Sequence, residues 1–125
     1  MVRVLIAIGL LLAFAGYSAL VYTAGTEAPE AASQAWTTEA AAGKQLYQQH
    51  NCQACHQLYG LGGYLGPDLT TAWSDPKRGP AYLRALLQSG GSRMPNFHFT
   101  PSEVQSLLAY LRSVDASAHE YAAHP

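Results

Sequence analysis

At 125 residues, with 49% hydrophobic and 12% charged side chains, the chain has room for one small domain and an accessory segment. A net charge of −1 and a pI of about 6.5 exclude the basic excess of a nucleic-acid footprint, so no nucleic acid is expected as a partner. The only cysteines, Cys52 and Cys55, are too few for a four-cysteine zinc site or a disulfide framework.

Residues 1–23 read as the first unit. Val4 to Val21 holds no charged residue and is dominated by Leu, Ile, Val, Ala and Phe. As a helix it covers about 30 Å, the thickness of a bilayer core, which fits a transmembrane anchor or a signal peptide. Tyr22-Thr23-Ala24-Gly25 lacks a small-x-small cleavage site, and this favours an uncleaved anchor. Arg3 places the N-terminus on the cytoplasmic side and sends the rest of the chain across the membrane. Residues 24–37 have no apolar period and read as a linker along the bilayer surface or a partner. Trp36 either opens the globular part or serves as an interfacial aromatic.

The domain proper is expected over residues 38–114. Thr37 or Thr38 is an N-cap, Glu39 favours the first turn, and a helix runs on through Tyr47. Gly43 and Tyr47 share one face of it, and a glycine inside a helix points to a closely packed neighbour.

Next comes Cys52-Gln53-Ala54-Cys55-His56, the attachment signature of a c-type haem. Both sulfurs become thioethers and His56 becomes the proximal iron ligand. A thioredoxin-like redox pair would need an alternation of strands and helices that this chain does not show. A covalently held macrocycle also supplies the apolar centre that so small a domain lacks. Its attachment outside the cytoplasm agrees with the orientation set by Arg3.

The glycine-rich run from Leu58 to Leu69 reads as a loop able to wrap a flat ring. Within it Pro67 has a carbonyl but no N–H, so it is the expected acceptor for the second ring nitrogen of His56. Tyr59, Tyr64 and Leu69 are candidates for the haem edge. Trp73 to Gly79 is a polar turn, in which Trp73 serves a haem propionate or the core. Pro80 opens a short helix with an apolar face of Leu83, Leu86 and Leu87, closed by Gly90-Gly91.

Met94, the only methionine besides Met1, lies on a proline-stiffened loop, not within an apolar period. As the distal ligand it would fill the second axial position and raise the potential, the arrangement of an electron carrier. His98 and His50 compete for that role. Arg93 is the best candidate for a haem propionate, whereas Lys77, Arg78 and Arg84 read as scattered surface charges. Thr100-Pro101-Ser102-Glu103 is a capping box, followed at helical spacing by Val104, Leu107, Leu108 and Leu111. Leu107 and Tyr110 are expected to cross the Gly43/Tyr47 face. Residues 115–125 carry no core pattern and read as a frayed tail or a strap onto a partner.

Taken together, the Gly/aromatic first helix, the haem motif, the Gly/Pro loop, the methionine loop and the Leu-x-x-Tyr helix resemble the all-α class I cytochrome c fold over about residues 38–114. More narrowly, Gly62-Gly63-Tyr64-Leu65-Gly66-Pro67-Asp68-Leu69 and Arg93-Met94-Pro95-Asn96-Phe97-His98-Phe99 look like the membrane-anchored cytochrome subunit of bacterial nitric oxide reductase. The resemblance implies one haem c, attached at Cys52 and Cys55, with His56 proximal and Met94 distal. It implies a non-catalytic electron-transfer subunit, single-pass in the bacterial inner membrane with its haem domain on the periplasmic side. Electrons would come from a soluble or membrane donor and pass to a large integral-membrane oxidoreductase subunit with b-type haem. The alternatives are the cytochrome subunit of a haem-copper oxidase and a haem sensor with a displaceable distal ligand.

Overall fold

A computed structural model describes residues 1–24 and 30–123. Its helices are α1 (Val2–Ala24), α2 (Glu30–Ala35), α3 (Thr38–Gln49), α4 (Gly79–Ser89) and α5 (Pro101–Ala123). A 3₁₀ turn, Cys52–Ala54, and a minimal antiparallel hairpin of β1 (Gln57–Leu58) and β2 (Leu61–Gly62) lie between α3 and α4.

No residue of α1 is buried by the protein, and its mean hydropathy reaches 2.4. At 1.5 Å per residue it is about 35 Å long, enough to cross a bilayer core. By length and composition α1 is apolar enough to cross a membrane.

The haem-motif end of the chain is built on the crossing of α3 and α5. Thr37 is the N-cap of α3, its hydroxyl accepting from the Ala40 amide at 3.1 Å. At the other end of the pair, the Thr100 amide donates to Glu103 at 2.8 Å and the Glu103 amide returns to the Thr100 hydroxyl at 3.3 Å. This reciprocal box satisfies two helix-end donors at once. Between the caps the helices touch backbone to backbone at Gly43. A Cβ there would stand 2.5 Å from the Ser106 carbonyl carbon and 2.9 Å from Tyr110 Cβ. The approach brings Tyr47 against Tyr110, with ring centroids 5.5 Å apart, in the crossing that the sequence led one to expect.

From this crossing α5 presents two faces. One holds Leu107, Tyr110 and Val114 against Tyr47, and the other holds Val104, Leu108 and Leu111 against Ala72 and Leu83. Leu107 and Leu108 are at most 2% exposed, so the helix forms the spine shared by both clusters.

Three segments differ from the sequence reading. Within the linker 24–37, residues 30–35 are helical and α2 packs on α5, while residues 25–29 lie outside those described. Trp36 meets Tyr110 edge-on at 6.3 Å and carries Lys44 Nζ 5.7 Å above its ring, so it belongs to the domain. The expected tail is also helical, since α5 continues to Ala123. Asp115, only 5% exposed, accepts from the amide and hydroxyl of Ser74 at 3.0 and 2.8 Å. A polar residue therefore anchors the extension where an apolar period was sought. Finally, the loop after the haem motif contains a two-residue turn with Tyr59 and Gly60 at φ 53° and 74°. The strained Tyr59 is held by its hydroxyl, which donates to the Val114 carbonyl at 3.3 Å and also meets Ser117.

Candidate haem site

The 3₁₀ turn follows directly on α3. Asn51 adopts left-handed angles (φ 50°, ψ 39°), breaking the helix, and the amides of Cys55 and His56 both turn back to the Cys52 carbonyl at 3.2 and 2.9 Å. This turn holds both cysteines and the histidine beside one another.

The following loop is stitched under the motif by three backbone bonds: Gly63 to Gln53, Gly66 to Cys55 and Leu69 to Gln57, at 2.9, 2.8 and 2.9 Å. Gly66 lies so close to the imidazole that a Cβ would stand 2.6 Å from Nδ1 and 2.9 Å from Nε2 of His56. His56 Nδ1 is 2.9 Å from the Pro67 carbonyl. A carbonyl only accepts, so Nδ1 carries the proton and Nε2 keeps its lone pair, the form in which an imidazole binds a metal. Beside it the Asp68 side chain accepts from the Thr70 amide at 2.7 Å. That bonding with Thr70, its hydroxyl foremost, holds the Asp68 carboxyl below its ordinary range.

His56, Cys52, Cys55 and Met94 all line one cavity of about 420 Å³, within the roughly 300–1,000 Å³ of sites that enclose cofactors. Its walls are largely apolar: Leu69, Leu83, Leu86 and Leu87 on one side, Leu107 and Leu111 of α5 on another. Burial pushes the Cys52 thiol up, so it stays neutral. Arg93 and Arg78 supply positive charge in the lining, the latter held by Asp75 at 2.6 Å.

The site residues expected from sequence divide as follows. Cys52, Cys55, His56, Pro67, Met94 and Arg93 are brought together in the lining. Tyr64 is not among them, because the loop places its glycines against the motif and leaves the Tyr64 ring 86% exposed. Its neighbour Leu65 lines the cavity in its place. Tyr59 is drawn away to α5, and Trp73 packs against the Ala72/Leu83 cluster. Of the competing ligands, His98 lies outside the lining, and His50 lies within it with its ring against the edges of Phe97 and Phe99 at 5.3 and 4.8 Å. Sequence reasoning missed Tyr82 and Phe97 as lining residues, and for Arg78, which also lines the cavity, it preferred a scattered surface charge to a haem-propionate partner. Tyr82 lies one turn before Leu86, and that spacing was the available signal.

The donor set suits a haem: two thiols, an imidazole with a free lone pair and a thioether on one apolar hollow. A further sign is the Tyr47 hydroxyl, a buried polar atom without a protein partner on a residue that lines the same space. Bound haem supplies a one-electron iron couple, which His/Met ligation moves to higher potential.

A helical domain with this donor set is a cytochrome c domain, built to bind haem and transfer electrons. The chain belongs to the family described as cytochrome c oxidase, cbb3-type, subunit III, which it matches over residues 38–111. It is also similar to three nitric oxide reductase subunits, each named as the C component of that enzyme. With that of Halomonas halodenitrificans it shares 28% identity over 102 residues, 71% of this chain and 68% of the relative. The protein of Cereibacter sphaeroides is 30% identical over 93 residues, 65% and 63% of the two chains. That of Stutzerimonas stutzeri is 27% identical over 111 residues, 79% and 75%. With α1 in front, the chain is a membrane-anchored electron-transfer cytochrome.

Proposed function

We propose that this chain is the monohaem c-type cytochrome subunit of a nitric oxide reductase. It carries single electrons from a soluble or membrane donor to a large membrane subunit with b-type haem, and takes no catalytic part itself. Cys52 and Cys55 attach the haem covalently, while His56 and Met94 hold the iron from its two faces. Pro67 orients His56, and Arg93 at the rim pairs with a haem propionate. The haem domain stands on the periplasmic side of the inner membrane, the side to which Arg3 directs it.

The observation that carries this reading is the convergence of His56, Met94 and both thiols on one apolar cavity. With His56 and Met94 both holding a bound haem, the protein would leave no coordination site for a small molecule, and the haem would supply electron transfer. The reductase as acceptor follows the names of the three relatives. The description of the matching family favours a second reading, in which the same domain feeds a haem-copper oxidase.

Extraction in mild detergent with its co-purifying partner separates the two. Consumption of nitric oxide from a reduced donor, with b-type haem and no copper, supports the reductase. Oxygen consumption with copper present replaces it by the oxidase.

A further inference from the structure

Tyr47 is 4% exposed, and its hydroxyl has no hydrogen-bond partner among the described residues. Buried hydroxyls are rarely left so, because the lost hydration is not repaid. The surroundings narrow what could repay it. Tyr47 clusters with Leu107, Tyr110 and Val114, and of the partly buried hydrophobic side chains packed against that cluster only Cys52 carries a heteroatom. The Cys52 sulfur is thus the heteroatom that hydrophobic packing brings to this cluster, on a residue that lines the same cavity as Tyr47. Burial pushes the Tyr47 phenol up, so it remains a protonated donor. The ring also lines the cavity.

We propose that Tyr47 is a positioning residue for the haem, its hydroxyl donating to the Cys52 sulfur once that sulfur is a thioether. This rests on the haem-attachment reading above. A free thiol has a proton of its own and can turn toward other acceptors, whereas a thioether has none and only accepts. Attachment fixes the sulfur in place and completes the pairing. The O–H dipole then points its positive end at the edge of the macrocycle, which favours the electron-richer, reduced state.

The test uses the full-length protein in detergent, with Tyr47→Phe and Tyr110→Phe prepared beside it. Haem staining after denaturing electrophoresis reports covalent attachment. Thermal unfolding of the haem-loaded protein and a spectroelectrochemical titration report the hydrogen bond. Tyr47→Phe is expected to keep its haem, unfold at lower temperature and titrate at lower potential. Tyr110→Phe, whose ring is outside the cavity lining, is expected to keep the parent potential. An unfolding temperature for Tyr47→Phe equal to or above the parent's means that the hydroxyl has no partner, and overturns the proposal. An unchanged potential, or an equal shift in Tyr110→Phe, also overturns it. Absence of covalent haem in the parent defeats the attachment reading itself, and this inference with it.

Discussion

Gly43→Ala is the sharpest test of the helix crossing on which the site is built. On an isolated helix the change stabilises by about 1 kcal/mol. Here the new Cβ would meet the Ser106 carbonyl carbon at 2.5 Å and Tyr110 Cβ at 2.9 Å. Ordinary contact begins near ~3.5 Å, and carbonyl backbone in mid-helix cannot swing aside as a side-chain end can. The helices must separate by about 1 Å, which also loosens Tyr47 against Tyr110. Overpacking costs typically about 1–3 kcal/mol, and contact with rigid backbone places this case at the upper end. After the propensity gain the net loss is about 2 kcal/mol, or about 8–16 °C in melting temperature for a domain of this size. Far-ultraviolet circular dichroism of the haem-loaded protein in detergent measures it. Gly9→Ala in α1, where nothing lies within 4 Å, serves as the control. A Gly43→Ala protein that melts at or above the parent temperature would refute the close crossing.

Other perturbations reach the site from different sides. Gly66→Ala should displace the imidazole of His56 and shift the midpoint potential in a spectroelectrochemical titration; an unaltered potential contradicts the packing of Gly66 on that ring. Met94→Leu should lower the midpoint potential and let the reduced protein bind carbon monoxide, and an unchanged potential removes Met94 as the distal ligand. Asp115→Ala leaves the Ser74 amide without this acceptor, at about 1–3 kcal/mol, measurable by chemical unfolding. Asp68, held below the ordinary carboxylate range first by the Thr70 hydroxyl, stabilises the fold above the unfolded-chain value of about 3.9. That contribution is lost as pH falls through the lower folded-state value. Melting temperatures between about pH 5 and 2 should fall less steeply for Asp68→Asn than for the parent, and identical slopes would count against it.

Local chemistry made much of the site readable in advance. The thiols and His56 share five consecutive positions, the Thr100/Glu103 box is a four-residue device, and Pro67 can offer its neighbour only an acceptor. Other features depend on what lies opposite in space. Residues beyond Val114 look like a tail because Ala, Ser and His show no apolar period, whereas Ser74 across the fold and His119 one turn on give Asp115 a reason to be buried. Tyr64 suggested an aromatic wall, but the glycines around it choose which side of the loop meets the motif. Arg78 resembled a stray surface charge until Asp75 held it beside the cavity. The short helix α2 likewise depends on its packing against α5, since so brief a helix does not persist alone.

The position of α2 also sets the length of the leash. Read from sequence, the flexible stretch runs from the end of the anchor to residue 38, and a chain extended at about 3.5 Å per residue would reach about 50 Å. With α2 docked on α5, the chain from Ala24 to Glu30 can reach at most about 20 Å. A tether shortened by that factor confines the domain to roughly a fifteenth of the volume. The effective concentration that it presents to any acceptor at the bilayer surface rises in proportion, provided the acceptor lies within reach. On so short a reach, the domain meets only what lies beside its own N-terminal helix.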